Sequence, residues 1–347
     1  MSYFKLTVFF MCSLFFMSCS SQTNEKISNP ETIAAFSKGA DVGWLAQMEA
    51  TNYKFYDIDG SQKDCLQLLK DRGINTIRLR VWVNPSNDKA SGHCSKEETV
   101  VMAVRAQKMG MRIMIDFHYS DSWADPGKQF KPKAWESHTF SGLLGDVYNH
   151  TFDVLNALKT AGVTPEWVQV GNEIPGGMLW PEGSSQNWPQ LAQLLNKGYE
   201  ATKAIDTKIK VIVHVDEGNN NAKFRWFFDN AKNNNVKYDV IGMSYYPFWI
   251  KKDYTETVID LENNLKDMAS RYDKEVLVVA VGGEYDKVQN TFEMLAATIK
   301  AVKSVPNSRG LGVIYWEPEG EKSWSGYSLS TWGTDGKPTA ALNAFKE

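Results

Sequence analysis

The sequence predicts a single (β/α)8 barrel, and three of its features support that fold class. Eight short runs rich in β-branched residues alternate with longer segments whose apolar residues repeat with a helical period. Eight strand–helix units in succession are what a closed parallel barrel requires. A doubly wound open sheet also alternates, but the phosphate-binding glycine pattern expected after its first strand is absent. Gly282-Gly283 comes too late in the chain and is too short to replace that pattern.

Each predicted element follows from local composition, and the order of elements is strict. The strands are predicted at Lys38–Val42, Thr76–Val83, Arg112–Phe117, Trp167–Gly171, Lys210–Val215, Val240–Ser244, Glu275–Val281 and Gly312–Trp316. The helices are predicted at Asp64–Arg72, Val100–Met109, Leu143–Ala161, Leu191–Ile205, Phe224–Asn233, Val258–Tyr272, Thr291–Val305 and Thr339–Phe345. Gly73 and Gly110 stand where the first two of these helices end. No linker interrupts residues 32–347, so we expect one domain there.

The composition excludes some functional classes and leaves one open. The 347 residues carry 38 Lys and Arg against 41 Asp and Glu, a net charge of −3. This balance gives no support for nucleic-acid binding, which needs concentrated positive charge. The 12 tryptophans are a surplus. Such side chains fill cores and interfaces or stack on sugar rings, and the count alone does not choose among these uses.

The first 19 residues resemble a bacterial lipoprotein signal peptide. Lys5 precedes an apolar run from Leu6 to Met17 that is too short to span a bilayer stably, and Cys19 follows at the position that becomes lipidated. Residues 20–31 are predicted to be a polar tether. We therefore expect export to the outer membrane or cell surface, with the lipid at Cys19 as the only membrane attachment. Simple cleavage and secretion is the alternative.

Two cysteines remain after the signal peptide, and the sequence does not decide whether they pair. Cys65 and Cys94 could form a disulfide in an exported protein, or they could be separate thiols. Neither stands in a metal-ligand spacing, and the five histidines are scattered. We expect no metal and no cofactor.

Polar and aromatic residues gather where the predicted strands end. In barrel enzymes the chemistry lies beyond the carboxyl ends of the strands. The sequence places here Asp41-Val42-Gly43-Trp44, Arg78-Leu79-Arg80-Val81-Trp82, Asp116-Phe117-His118-Tyr119, Gly171-Asn172-Glu173, Ser244-Tyr245-Tyr246 and Tyr315-Trp316-Glu317-Pro318. Packing alone does not explain so many polar groups at one end of successive strands.

From about Lys38 to Phe345 the chain resembles the family 53 glycoside hydrolases, the endo-β-1,4-galactanases. The resemblance rests on the stretches Gly39–Val42, Ile77–Pro85, Asp116–Asp121, Trp123–Gly127, Val170–Ile174, Gly177–Pro181 and Tyr315–Pro318. It implies a retaining glycosidase acting on β-1,4-galactan, arabinogalactan side chains or galacto-oligosaccharides. Retention needs two carboxyl groups about 5–5.5 Å apart, one acid/base and one nucleophile.

The resemblance assigns one of these groups and leaves the other missing. It implies that Glu173 is the acid/base and that Asn172 bonds the 2-hydroxyl of the sugar at the cleavage point. The family nucleophile ends strand seven in a Val-Val-Glu stretch, whereas this chain reads Val278-Val279-Ala280. A methyl group cannot attack an anomeric carbon. The resemblance also implies that Arg80 and Tyr245 would contact the absent carboxylate.

Sugar binding does not depend on the nucleophile. Asp41, Asp116, His118 and Asn172 are candidates to bond sugar hydroxyls. The candidate stacking residues are Trp123, Trp180, Trp249 and Trp316, and we expect Trp82, Trp123 and Trp316 to face the groove.

Three hypotheses follow from the sequence. The first is a galactanase scaffold that binds β-1,4-galactan but barely cleaves it, through an engineered or natural loss of the nucleophile. The second is a glycan-binding lipoprotein with no catalytic role. The third is an active galactanase whose nucleophile is displaced to Glu284.

Overall fold

The eight strands of the computed structural model are parallel and close into a barrel in chain order, which confirms the predicted fold class. The first strand pairs with both the second and the eighth, so the sheet has no free edge. The strands are β1 Ser37–Asp41, β2 Thr76–Val81, β3 Arg112–Phe117, β4 Trp167–Val170, β5 Lys210–Val215, β6 Val240–Tyr245, β7 Glu275–Val281 and β8 Gly310–Trp316. The predictions for β3, β5 and β7 match residue for residue.

Helices follow the strands and form the outer layer. They are α1 Leu45–Ala50, α2 Cys65–Asp71, α3 Lys96–Lys108, α4 Phe140–Thr160, α5 Trp188–Ile205, α6 Asn221–Asn233, α7 Tyr254–Tyr272, α8 Val288–Lys303 and the short α9 Lys322–Ser325. The predicted last helix is a 3-10 helix at Ala340–Lys346.

Several helices begin a turn earlier than the apolar periodicity predicted, because polar capping residues set their start. Ser95 and Glu98 form a capping box at the start of α3, and Asp253 and Glu256 form one at α7. These caps satisfy backbone N–H groups that have no partner within the helix. The first apolar residue on the buried face therefore comes later than the first helical residue.

Alternation along the strands separates two apolar layers. Outward residues such as Ile77, Ile115 and Val213 join the large cluster between barrel and helices. A small inner cluster fills the lower part of the barrel, and its members are Met114, Trp167, Ile212, Val240, Leu277, Val279 and Ile314. Toward the carboxyl ends of the strands the buried inward residues become polar, as at Arg78, Asp116, Gln169 and His214. The polar layer is the floor of the site.

The structure describes residues 1–3 and 35–347. Apart from its first three residues, the predicted signal peptide lies outside the described residues, as do Cys19 and residues 20–31 of the tether. Residues Phe36–Glu347 form one compact unit. Within the described ranges no helix is both long and apolar enough to cross a membrane. Cys65 and Cys94 are both free and buried, so the disulfide alternative does not hold in this structure.

Candidate active site

A cleft of about 430 Å³ opens at the carboxyl ends of the strands. It is lined by residues that follow β3, β4, β5, β6 and β8, together with Ala280 of β7. Six predicted site residues meet in this cleft: His118, Trp123, Asn172, Glu173, Trp249 and Trp316. Ala280 is the seventh.

Glu173 is held in a fixed position on the loop after β4. Its backbone adopts a left-handed conformation with φ 47°, which is uncommon for a side-chain-bearing residue and recurs at functional sites. Ser244 Oγ donates a hydrogen bond to Glu173 Oε1, and the Glu173 backbone N–H donates to His214 Nδ1 at 3.3 Å. Burial raises the pKa of Glu173 to about 7, although the Ser244 bond opposes the shift. A carboxyl that still holds its proton near neutral pH suits a general acid.

Asn172 stands beside Glu173 and is fixed from both ends of its amide. Its Oδ1 accepts from Arg78 Nη2 at 3.0 Å, and its Nδ2 donates to the Ala124 carbonyl at 2.8 Å. Because both ends are bonded, the amide keeps one orientation at the cleft surface. The role of Asn172 at the sugar 2-hydroxyl stays a prediction.

A buried ionic network lies under the cleft and corrects the roles predicted for Asp41 and Asp116. Both carboxylates are fully buried, bind Arg78, and are absent from the cleft lining. Asp116 also contacts His118 Nε2 at 3.0 Å. Burial opposes ionisation of Asp116, but Arg78 and His118 outweigh it and lower its pKa. The two aspartates therefore hold Arg78 and His118, which reach the cleft, and are not placed to bond sugar directly.

Arg80 and Tyr245 do not line the cleft that holds Ala280, and each side chain has a partner elsewhere. Arg80 is buried and pairs with Glu317. Tyr245 points outward from the barrel and bonds Thr257 Oγ1 at 2.9 Å. The next residue, Tyr246, lines the cleft instead. Side chains alternate between the two faces of β6, and the sequence-based assignment chose Tyr245, which points outward, in place of Tyr246, which points into the cleft.

Indole rings form one wall of the cleft. Trp123 and Trp316 lie 5.7 Å apart between ring centroids and both line the cleft. Trp249 also lines it and is 62% exposed, so one face of its ring is open to a ligand. Trp82, expected to face the groove, is fully buried and packs against Trp123 with 5.0 Å between centroids. Trp180 lies outside the cleft, where it packs against Phe130 and donates to the Gly176 carbonyl.

An irregularity in β7 aims Ala280 into the cleft. Leu277 and Val279 both belong to the inner cluster, so regular alternation would turn residue 280 outward. The pairing register slips here: Met243 pairs with Val278, whereas Ser244 pairs with Ala280. The extra residue is a β-bulge, a feature that re-aims side chains next to active sites. Ala280 consequently faces the cleft directly after Val279 faces the barrel interior.

A single residue, Ser244, contacts both Ala280 and Glu173. Ser244 is the register partner of Ala280 and donates to Glu173. Adjacent strands lie about 4.8 Å apart, so position 280 is one strand spacing from the residue that holds the acid.

Several residues that line the cleft were given no role from the sequence. Arg78, Ser244 and Tyr246 were placed at strand ends and Asp125 in a stretch that resembles the family, whereas His214, Asp216, Glu217 and Tyr327 were not singled out. Asp216 and Glu217 follow β5 and share Lys223 as an ion-pair partner, and the charge of Asp216 acts on Glu173. Burial raises the pKa of Asp216. The sequence could have indicated Asp216 and Glu217 as site residues, because both come directly after a predicted strand. No cluster of His, Cys, Asp and Glu suited to a metal occurs among residues 1–3 and 35–347.

Comparisons with known proteins identify the family that the chain matches and several of its relatives. The model of glycosyl hydrolase family 53 matches residues 37–345. An arabinogalactan endo-β-1,4-galactanase of Thermothelomyces thermophilus is 33% identical over 306 residues, covering 81% of this chain and 89% of that protein. An uncharacterized protein of Niallia circulans is 37% identical over 333 residues, covering 86% of this chain and 88% of its own. The solved GH53 catalytic domain of Ignisphaera aggregans superposes with a TM-score of 0.83 at 30% identity, covering 90% of this chain and 95% of that domain.

Proposed function

This chain belongs to glycosyl hydrolase family 53, and from that premise we propose that it binds β-1,4-galactan or galacto-oligosaccharides but hydrolyses them slowly or not at all. The observation that carries the proposal is the bulge in β7, which aims the methyl group of Ala280 into the cleft that holds Glu173.

The substrate class is supported by the relatives and by the cleft. The Thermothelomyces thermophilus relative carries the name of a galactan-degrading enzyme. Trp123, Trp249 and Trp316 offer indole faces, and such faces stack on the apolar faces of sugar rings. Asn172 Nδ2 donates one N–H to the Ala124 carbonyl and keeps its second N–H for a ligand. Binding requires these groups and does not require a nucleophile.

The loss of hydrolysis follows from the chemistry of the retaining mechanism. Glu173 can still protonate the leaving oxygen, but nothing at position 280 can attack the anomeric carbon or stabilise its developing positive charge. Removing such a group costs several kcal/mol of barrier, and each ~1.4 kcal/mol is a tenfold loss in rate. A rate lower by about 10⁴-fold or more is therefore expected.

The displaced-nucleophile alternative finds little support. Glu284 does not line the cleft, and its carboxylate pairs with Lys287 at 2.6 Å. The other carboxylates of the cleft are Asp125, Asp216 and Glu217. Asp125 contacts Lys128 at 3.6 Å, and Lys223 pairs with both Asp216 and Glu217. None of these groups occupies the position that the bulge aims at the cleft.

Restoring the carboxylate tests the proposal. Ala280→Glu should hydrolyse β-1,4-galactan at least about 10⁴-fold faster than the chain as it stands. Ala280→Gln is the matched control, since it adds nearly the same volume without a charge, and it should gain nothing. Azide should raise the turnover of an activated β-galactoside by the Ala280 protein and give an α-galactosyl azide. High activity of the unaltered chain, equal to that of Ala280→Glu, would overturn the proposal, and its loss in Glu284→Ala would establish the displaced nucleophile.

We also propose that the protein is anchored by a lipid at Cys19, as its first 19 residues suggest. Such an anchor would suit a non-catalytic protein that presents glycans at a cell surface. Labelling with a fatty-acid analogue in a bacterial host should mark the chain, and Cys19→Ala should lose the label. A protein released to the medium without label would support simple secretion.

A further inference from the structure

We propose that Phe130 and Trp180 form a second sugar-stacking platform outside the cleft, which holds a galactosyl residue of a β-1,4-galactan chain beyond those that the cleft itself accommodates. This inference rests on the proposed function, because it takes galactan as the ligand. Trp180 was a candidate stacking residue from the sequence and does not line the cleft. The platform gives it a sugar-binding role at a different place.

Phe130 is an aromatic side chain that the fold leaves in solvent. It lies on the loop between β3 and α4, at the carboxyl end of the barrel, and is 63% exposed. Its ring meets the ring of Trp180 at 89°, with 6.3 Å between centroids. A perpendicular contact covers at most one face of the Phe130 ring. The other face is therefore open to a ligand.

Trp180 is fixed, and it fixes the backbone of Phe130. Its Nε1 donates to the Gly176 carbonyl at 2.9 Å, and a Cβ on Gly176 would lie only 3.0 Å from Cζ2 of the same indole. The backbones of Phe130 and Trp180 form a parallel bridge, in which the Trp180 N–H donates to the Gln129 carbonyl at 2.7 Å. A ligand therefore meets a preformed platform and does not have to order it.

Gln129 joins this platform to the wall of the cleft. Its side chain is buried, and its Nε2 donates to the carbonyls of Asp125 at 3.1 Å and Asn172 at 2.8 Å. Both of these residues line the cleft. Phe130 is the next residue, with its Cα about 3.8 Å further along the backbone. A galactan chain that leaves the cleft past Asp125 consequently meets the platform.

Polar groups border the two rings. Lys131 and Glu182 follow them in the chain and form an ion pair at 3.0 Å, and Lys131 Nζ also donates to the Glu136 carbonyl at 3.1 Å. An ammonium group has three N–H donors, so one remains for a sugar hydroxyl. A stable protein interface buries about 1,200–2,000 Å². Two rings among charged residues are too small for that, and they suit one sugar ring with an apolar face and a polar edge.

The test compares ligands of different length on the full chain. Calorimetry measures the affinity for β-1,4-galactobiose, which the cleft can hold alone, and for β-1,4-galactan. Phe130→Ala should leave the galactobiose affinity unchanged and weaken galactan binding about five- to tenfold. Phe130→Trp should keep the affinity for galactan, because an aromatic face remains. Since the side chain is exposed, neither substitution should change the unfolding midpoint.

Phe152→Ala is the matched control. Phe152 is also an exposed phenylalanine, but it lies on α4 against Tyr148 and outside the cleft, so both affinities should stay as they are. A Phe130→Ala protein that binds galactobiose and galactan as the parent does would overturn this inference alone. Failure of the parent to bind either ligand would overturn the proposed function and this inference with it. A parent dimer that becomes a monomer as Phe130→Ala, with galactan affinity unaltered, would show that a second copy of the chain covers the platform, which also overturns the inference.

Discussion

The guanidinium carbon of Arg80 lies 4.4 Å from the ring centroid of Trp123, so a buried cation supports the aromatic wall of the cleft from behind. The rings of Trp44, Trp82 and Trp316 surround the same guanidinium at 5.3–6.0 Å. Within the described residues, Nε and Nη2 of Arg80 have no hydrogen-bond acceptor, and the indole faces take the place of one. Two of these indoles, Trp123 and Trp316, line the cleft.

Removing this cation should cost stability. Arg80→Met leaves Glu317 buried without its partner, so we expect the free energy of unfolding in urea to fall by about 3–5 kcal/mol. Arg225→Met is the control, because its pair with Asp267 is exposed and should be worth less than about 1 kcal/mol. Equal losses in the two variants would contradict the supporting role.

Trp249 should contribute to galactan affinity without contributing to stability. It lines the cleft and is 62% exposed, so Trp249→Ala should weaken galactan binding about tenfold and leave the unfolding midpoint unchanged. Calorimetry with a galacto-oligosaccharide measures the affinity. Trp226→Ala, on α6 and away from the cleft, should leave it unaltered. Unchanged affinity in Trp249→Ala would remove this residue from the binding surface.

Glu173 should make stability fall as pH rises. Its pKa in the folded chain is about 7, raised by burial from an ordinary value of 4.5. The folded state therefore holds the proton more tightly than the unfolded state, and the stability gained below pH 4.5 is lost as pH rises through 7. Glu173→Gln lacks this titration, so its stability relative to the parent should increase over that window. Urea unfolding at several pH values measures the difference, and parallel curves would refute the raised pKa.

Glu319 should also make the stability of the protein fall as pH rises. It is fully buried, and burial together with the charge of Glu317 raises its pKa. The folded chain therefore holds the proton of Glu319 more tightly than the unfolded chain does, and Gln is a close neutral substitute. Glu319→Gln should match the parent at about pH 4, where the carboxyl is protonated in both states, and should exceed the stability of the parent at about pH 9. Thermal unfolding at the two pH values checks this, and a variant that is less stable at both would show that Glu319 is ionised.

The sequence was sufficient for the barrel and for the loops that carry the site, because strand runs and helix periods are local properties. It was not sufficient to predict how deeply each side chain at a strand end is buried. Asp41, Asp116 and Arg80 stand at strand ends, yet they lie beneath the cleft because neighbouring charges and rings cover them. Sequence position along a strand does not measure how far a side chain reaches into the mouth of the barrel.

The sequence also did not determine which side chains of β6 and β7 face the cleft. Gly242, Ser244 and Tyr246 share the inward face of β6, and alternation counted from Gly242 would have chosen Tyr246 over Tyr245. Alternation along β7 would have turned residue 280 away from the cleft, because a bulge is not visible in composition. Only the family resemblance marked Ala280, and the register of the strands explains why that position faces the cleft.

The bulge in β7 also makes position 280 an attachment point for chemistry from outside the protein. Because the backbone fixes the direction of this side chain, a thiol introduced as Ala280→Cys would face the cleft beside a bound sugar. A galacto-oligosaccharide carrying an electrophile at its reducing end would be captured there as a stable thioether. The barrel would then serve as a permanently loaded glycan carrier, with its specificity set by the indole wall and its permanence set by one strand irregularity.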